Sequence, residues 1–148
     1  MNKILFLDDD PKRADKFLKE NPCAKWVVDA DECIAAFNEI WDFVYLDHDL
    51  GGKIYVDPLE HNTGSGVVRY IVNHQDQIPK TTFFIIHSFN DKEAIKMVKS
   101  LRKADYNAIY QPFGSVSTKD RDMFINAVCD SNNFTLPGAI IIKSPKIN

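Results

Sequence analysis

Phe43-Val44-Tyr45-Leu46-Asp47-His48-Asp49-Leu50-Gly51-Gly52 is a short apolar run that ends abruptly in two carboxylates flanking an imidazole, then two glycines. An apolar run of that length, set between helix-patterned segments, reads as a central strand of a parallel sheet. The paired glycines let the backbone turn. In an open α/β sheet the ligand site lies just outside the carboxyl ends of the strands. Asp47, His48 and Asp49 therefore stand where chemistry is usually done.

Upstream, Lys3 to Leu7 is a brief apolar run that breaks at Asp8-Asp9-Asp10-Pro11. Pro11 suits the first helical position with Asp10 as its cap, and Ala14, Phe17 and Leu18 fall on one face of the helix that follows. Asn21-Pro22 stops it. Ala24 to Val28 reads as a second strand, and Asp29 caps a helix carrying Cys33, Phe37 and Ile40 inward.

Downstream of Gly52 the pattern is lost for about ten residues, Lys53 to Asn62, longer than α/β loops usually run. Both a binding loop and a tolerated surface insertion remain open readings. Thr63-Gly64-Ser65-Gly66 then opens a helix through Val72. Thr81 to Ile86 is the most apolar strand and ends in His87-Ser88; Asn90 caps a helix whose inner face is Ala94, Ile95, Val98 and Leu101. Asn107 to Tyr110 is a fifth strand, followed by Gln111-Pro112-Phe113-Gly114. A last helix is expected over 118–128, and Gly138 to Lys143 reads as an edge strand or packing arm.

Strict β/α alternation predicts an α/β, flavodoxin-like (βα)5 three-layer sandwich with parallel sheet order 2-1-3-4-5. The domain is expected over residues 1–130, with a C-terminal extension over 131–148. This order brings the ends of strands 1 and 3 together, and with them Asp8, Asp9 and Asp47.

The 148 residues are 45% hydrophobic and 26% charged, as in soluble globular domains. A net charge of −3 supplies no basic field for duplex DNA. Cys23, Cys33 and Cys129 are odd in number and widely spaced, which suits buried reduced thiols rather than a disulfide framework. Neither a membrane-spanning run nor a signal peptide is evident, so the expected location is cytoplasmic.

Crowded carboxylates repel one another unless a cation neutralises them, and hard oxygen ligands suit Mg²⁺ or Mn²⁺. Asp8 and Asp9 are read as metal ligands with Asp47; Asp10 is read as a cap. His48 and His87 are candidate general acids or bases, with His61 a third candidate and His74 plain surface. For a phosphoryl group, Ser88 offers a hydroxyl and the amides near Gly64 and Ser65 a weak phosphate-loop signal. Arg69 or Lys53 would add positive charge.

From Met1 to Val128 the chain resembles response-regulator receiver domains. Ile4-Leu-Phe-Leu-Asp-Asp-Asp-Pro11 matches the first strand and acidic pair, and Asp42 to Asp47 with Leu50-Gly51-Gly52 matches the phosphoacceptor strand and its turn. The resemblance implies that Asp47 is the phosphoacceptor and that the backbone carbonyl of Asp49 is a further metal ligand. It puts Ser88 on the hydroxyl position and Gln111-Pro112-Phe113 on Lys-Pro-Phe. Gln111 is uncharged where receivers carry a lysine, and Ala108 stands at the aromatic switch position. Leu-Asp-Asp-Asp-Pro-x-Arg, Leu-Asp-His-Asp-Leu-Gly, Gly-x-Gly-Val-Val and His-Ser-x-Asn resemble more closely the cyclic-phosphate-processing receiver family. That resemblance implies a role on cyclic or terminal phosphates.

The leading expectation is thus a Mg²⁺-dependent phosphoesterase acting on a small phosphorylated ligand, a nucleotide or an RNA end. Asp47, His48 and His87 would do the chemistry. The alternatives are a signalling receiver phosphorylated on Asp47 and a non-catalytic pseudo-receiver that binds a protein partner.

Overall fold

A computed structural model describes residues 2–112. Five parallel strands and four α-helices alternate along them. They are β1 (Ile4–Leu7), α1 (Pro11–Glu20), β2 (Lys25–Val27), α2 (Ala30–Ala36), β3 (Phe43–Leu46), α3 (Gly64–Asn73), β4 (Phe83–Ile86), α4 (Asp91–Lys103) and β5 (Asn107–Tyr110). The sheet order is β2-β1-β3-β4-β5, the flavodoxin-like order expected. The helix expected over 118–128, the strand expected over 138–143, the third cysteine Cys129 and the boundary at residue 130 lie outside the described residues.

Register is what builds an edge for a site. Leu7 pairs with Leu46, Leu46 with Ile86, and Ile86 with Tyr110, so four strands end flush. The ladder runs one residue further: the amides of Asp47, His87 and Gln111 donate to Leu7, Leu46 and Ile86. Asp8, Asp47, His87 and Gln111 therefore stand side by side at the carboxyl edge.

Side chains alternate across a strand, and the two faces form separate cores. Leu5, Leu7, Val44, Leu46, Phe84 and Ile86 pack with α2, α3 and α4 through Cys33, Val67, Ile71, Met97 and Leu101. Ile4, Phe6, Tyr45, Phe83 and Ile85 lie on the opposite face with Ala14 and Phe17 of α1. Phe17 stacks on Phe6 with ring centroids 4.1 Å apart. All four helices start with a polar side chain that accepts a first-turn amide: Asp10, Asp29, Thr63 and Asn90. Such caps contribute about 1 kcal/mol each.

Three local expectations are corrected. α2 stops at Ala36, so Ile40 is 64% exposed rather than inward, and Trp41 fills the core in its place. Cys33 is buried as expected, but Cys23 is exposed. His74 is not plain surface either: it is half-buried and stacks on Tyr70 at 3.9 Å. Among the described residues no helix is long and apolar enough to cross a membrane.

Candidate metal and phosphate site

Asp8 is fully buried and Asp47 nearly so, with Asp9 partly exposed beside them. One carboxylate oxygen from each lies within 4.8 Å of the others. Each is fixed by local structure. Asp8 Oδ1 accepts the Asp10 amide at 2.8 Å, and the Trp26 indole donates to the Asp8 carbonyl. Asp9 Oδ2 accepts the Gly52 amide at 2.6 Å. Gly51 and Gly52 both adopt left-handed φ (+76° and +74°), the backbone that returns the turn to Asp9. Asp47 Oδ1 accepts the His48 amide at 2.7 Å.

Arg13, one turn into α1, meets all of these carboxylates. Its Nε and Nη2 donate to the two Asp8 oxygens at 2.8 and 2.9 Å, and Nη2 lies 3.4 Å from Asp47 and 3.9 Å from Asp9. Nη1 reaches Asp10 at 3.2 Å. Sequence reasoning looked to Arg69 and Lys53 for this charge. The signal for Arg13 was its place one helical turn after the acidic triplet, inside the Asp-Asp-Asp-Pro-x-Arg motif.

One guanidinium does not balance this much negative charge. Burial, with repulsion from Asp8 and Asp9, pushes the Asp47 carboxyl up to about 7, against the His48 amide and Arg13. The donor set fits a hard divalent cation: three oxygens converge and one of them resists ionisation for want of positive charge. A pH dependence follows. The folded-state value lies above the ordinary carboxylate value of about 4, so folding favours the proton. The full stability is present below about pH 4 and is lost progressively up to about pH 7. Urea unfolding in chelator should show this loss, on the order of 2–4 kcal/mol, and Asp47→Asn should remove it.

An open cavity of ≈ 370 Å³ lies over the cluster, lined by Asp9, Arg13, Asp47, Lys53, Ile54, Ser88 and Phe89, among others. The sequence of the family described as "Cyclic-phosphate processing Receiver domain" matches residues 3–103. The chain belongs to this receiver family. Solved structures agree in fold. A CheY-like response-regulator receiver domain from Methylobacillus flagellatus is 14% identical with a TM-score of 0.58, covering 86% of this chain and 98% of that one. A two-component response regulator from Clostridium difficile is 14% identical with a TM-score of 0.60, covering 90% and 100%. No curated protein matches the chain.

The receiver edge sorts the expected site residues into those that reach the cavity and those that do not. Asp9, Asp47, Asp49, Lys53 and Ser88 line it. His87 does not. It is buried, stacks on Phe6 at 4.9 Å, donates through Nε2 to the Leu7 carbonyl, and holds Nδ1 3.6 Å from Asp8. Burial lowers its pKa despite the Asp8 charge, and the Nε2–H of the neutral ring is held by the Leu7 carbonyl at the end of β1.

His48 is fully buried, with Nδ1 2.9 Å from Asp49 and Nε2 without a partner among the described residues. Asp49 is not in the three-carboxylate group. Its carboxylate binds His48, the Tyr55 and Val56 amides, and Asn90. Burial alone would raise the Asp49 carboxyl, but these hydrogen bonds together hold it below its usual range.

Gly64, Ser65 and Arg69 are also engaged elsewhere or off the cavity. The Gly64 amide donates to the His48 carbonyl, and the Gly66 amide to Thr63 Oγ1. Ser65 is half-buried and off the cavity. Arg69 binds the carbonyls of Pro58, Leu59 and Glu60. With Asn62 on the Ala30 amide and His61 on Asp31, it ties residues 53–62 to the domain. The insertion is a built loop.

Proposed function

We propose that this receiver domain is a metal-dependent phosphoesterase acting on cyclic or terminal phosphates of nucleotides or RNA ends. The observation that carries the reading is the under-neutralised cluster of Asp8, Asp9 and Asp47 beneath an open cavity. Asp8, Asp9 and Asp47 would hold Mg²⁺ or Mn²⁺. When bound, that ion supplies charge neutralisation and polarisation of the P–O bond.

The chain's own groups complete the site. Arg13 is a planar fork already aimed at the cluster, and its charge is available to phosphoryl oxygens as well as to carboxylates. Lys53 and Ser88 line the same cavity. Asp47 lines the cavity and, ionised by the cation it would share, suits a direct nucleophile. His48 and His87 act in this reading as positioning residues, His48 on Asp49 and the loop, His87 on the Leu7 carbonyl at the end of β1.

The test is incubation with a 2′,3′-cyclic nucleotide, with and without Mg²⁺, following ring opening. Metal-dependent opening supports the reading. The alternative, a phosphoacceptor switch, is favoured by Asp47 ending β3 at the cavity. It predicts a lasting adduct with a small phosphodonor and no ring opening.

A further inference from the structure

The phosphate cavity has a second wall of different chemistry. Phe89 is 63% exposed and Ile54 80% exposed, and both line the cavity that holds Asp9, Asp47 and Ser88. Single exposed apolar residues need no explanation. Two large ones at the mouth of one charged cavity do, because each costs free energy in contact with water.

Their placement is imposed by the fold. Phe89 follows Ser88 directly, and Ser88 Oγ accepts the Asn90 amide at 3.0 Å, holding the turn between them. The Arg13 guanidinium lies 5.6 Å from the Phe89 ring centroid, so the ring sits against the phosphate-facing cation. Ile54 precedes Tyr55, whose φ of +52° is left-handed and uncommon for a bulky residue. The Asp49 carboxylate fixes that conformation through the Tyr55 and Val56 amides at 3.0 and 2.9 Å. The loop is thus held in a strained shape that presents Ile54 at the cavity.

A cavity of ≈ 370 Å³ is within the size range of small-ligand sites, about 300–1,000 Å³. Inorganic phosphate would fill a fraction of it. A flat aromatic ring tethered to the phosphate would cover the Phe89 face.

We infer that Phe89, with Ile54 lining the same cavity, forms a nucleobase-stacking subsite that makes this domain select phosphorylated nucleosides over phosphate esters lacking a base. The inference rests on the phosphoesterase reading and adds the residue that sets substrate class. Stacking is tolerant of base identity because every base has a π face. Preference among bases should therefore be weak.

Calorimetric titration in Mg²⁺ with 3′-AMP, ribose 5-phosphate and inorganic phosphate tests it. Wild type should bind 3′-AMP most tightly. Phe89→Ala should weaken 3′-AMP about ten-fold or more and leave inorganic phosphate unchanged. Phe89→Trp should retain 3′-AMP and report it by fluorescence quenching, whereas Phe89→Leu, apolar without a π face, should not retain it. Equal affinity of wild type for 3′-AMP and ribose 5-phosphate, or equal weakening of 3′-AMP and phosphate in Phe89→Ala, would overturn the subsite and leave the phosphate reading standing. Binding of none of the three would remove both.

Discussion

Asp47→Asn is expected to lower Mg²⁺-dependent opening of a 2′,3′-cyclic nucleotide by about 10²- to 10⁴-fold, the equivalent of several kcal/mol of charge stabilisation lost from the transition state. The same variant should be more stable than wild type in chelator above pH 7. Both effects have one cause. Asp47 is nearly buried, next to Asp8 and Asp9, and among the described residues Arg13 at 3.4 Å and the His48 amide offset its charge. The amide keeps the shape and the acceptor for the His48 amide, and removes the charge. Activity lost together with stability would point to simple misfolding and count against this account. Activity retained would take Asp47 out of the chemistry.

Gly64→Ala should destabilise the fold by about 3 kcal/mol or more. A Cβ at residue 64 would lie 2.2 Å from the Asp47 carbonyl oxygen and 2.9 Å from the His48 Cα, both backbone atoms at the end of β3. A third contact, 2.6 Å from Met97 Cε, is at the tip of a flexible side chain and can yield; the other two cannot. Relief requires α3 to back away from β3, breaking the Gly64 amide bond to the His48 carbonyl. Gly52→Ala is the matched control. Nothing lies within 4 Å of a Cβ there, and its cost arises only from a φ of +74°, roughly 1–2 kcal/mol. Urea midpoints of the two variants check the order; a milder Gly64→Ala would refute the close approach.

The same comparison shows what the sequence could and could not convey. Strand ends were legible because apolar runs stop at polar residues: Leu7-Asp8, Leu46-Asp47 and Ile86-His87 all break where the sheet does. Alternation then assigned order 2-1-3-4-5, and topology placed Asp8, Asp9 and Asp47 together. Which way a polar residue points beyond a strand end was not legible. His48 and His87 differ by one position relative to their strands, so one ring meets Asp49 and the other Phe6 and Asp8. Neither reaches the cavity.

Gly64 and Gly66 looked like a phosphate loop because a glycine-rich turn before a helix has the same composition whatever it approaches. Here the neighbours are the β3 end and the His61 carbonyl. Arg69 faces the insertion because the loop carbonyls fold back over α3, a tertiary fact with no local signature. Arg13 was within reach of pattern reading. A cation one turn after a capped acidic triplet lies over it on the helix.

The account depends on Asp8, Asp9 and Asp47 sharing one divalent cation, and calorimetric titration of Mg²⁺ near pH 7.5 tests that most directly. Wild type should bind one ion per chain at millimolar or tighter affinity, releasing a fraction of a proton as Asp47 ionises, and Asp9→Asn and Asp47→Asn should each abolish binding. No saturable binding, or binding unaffected by both substitutions, would contradict it.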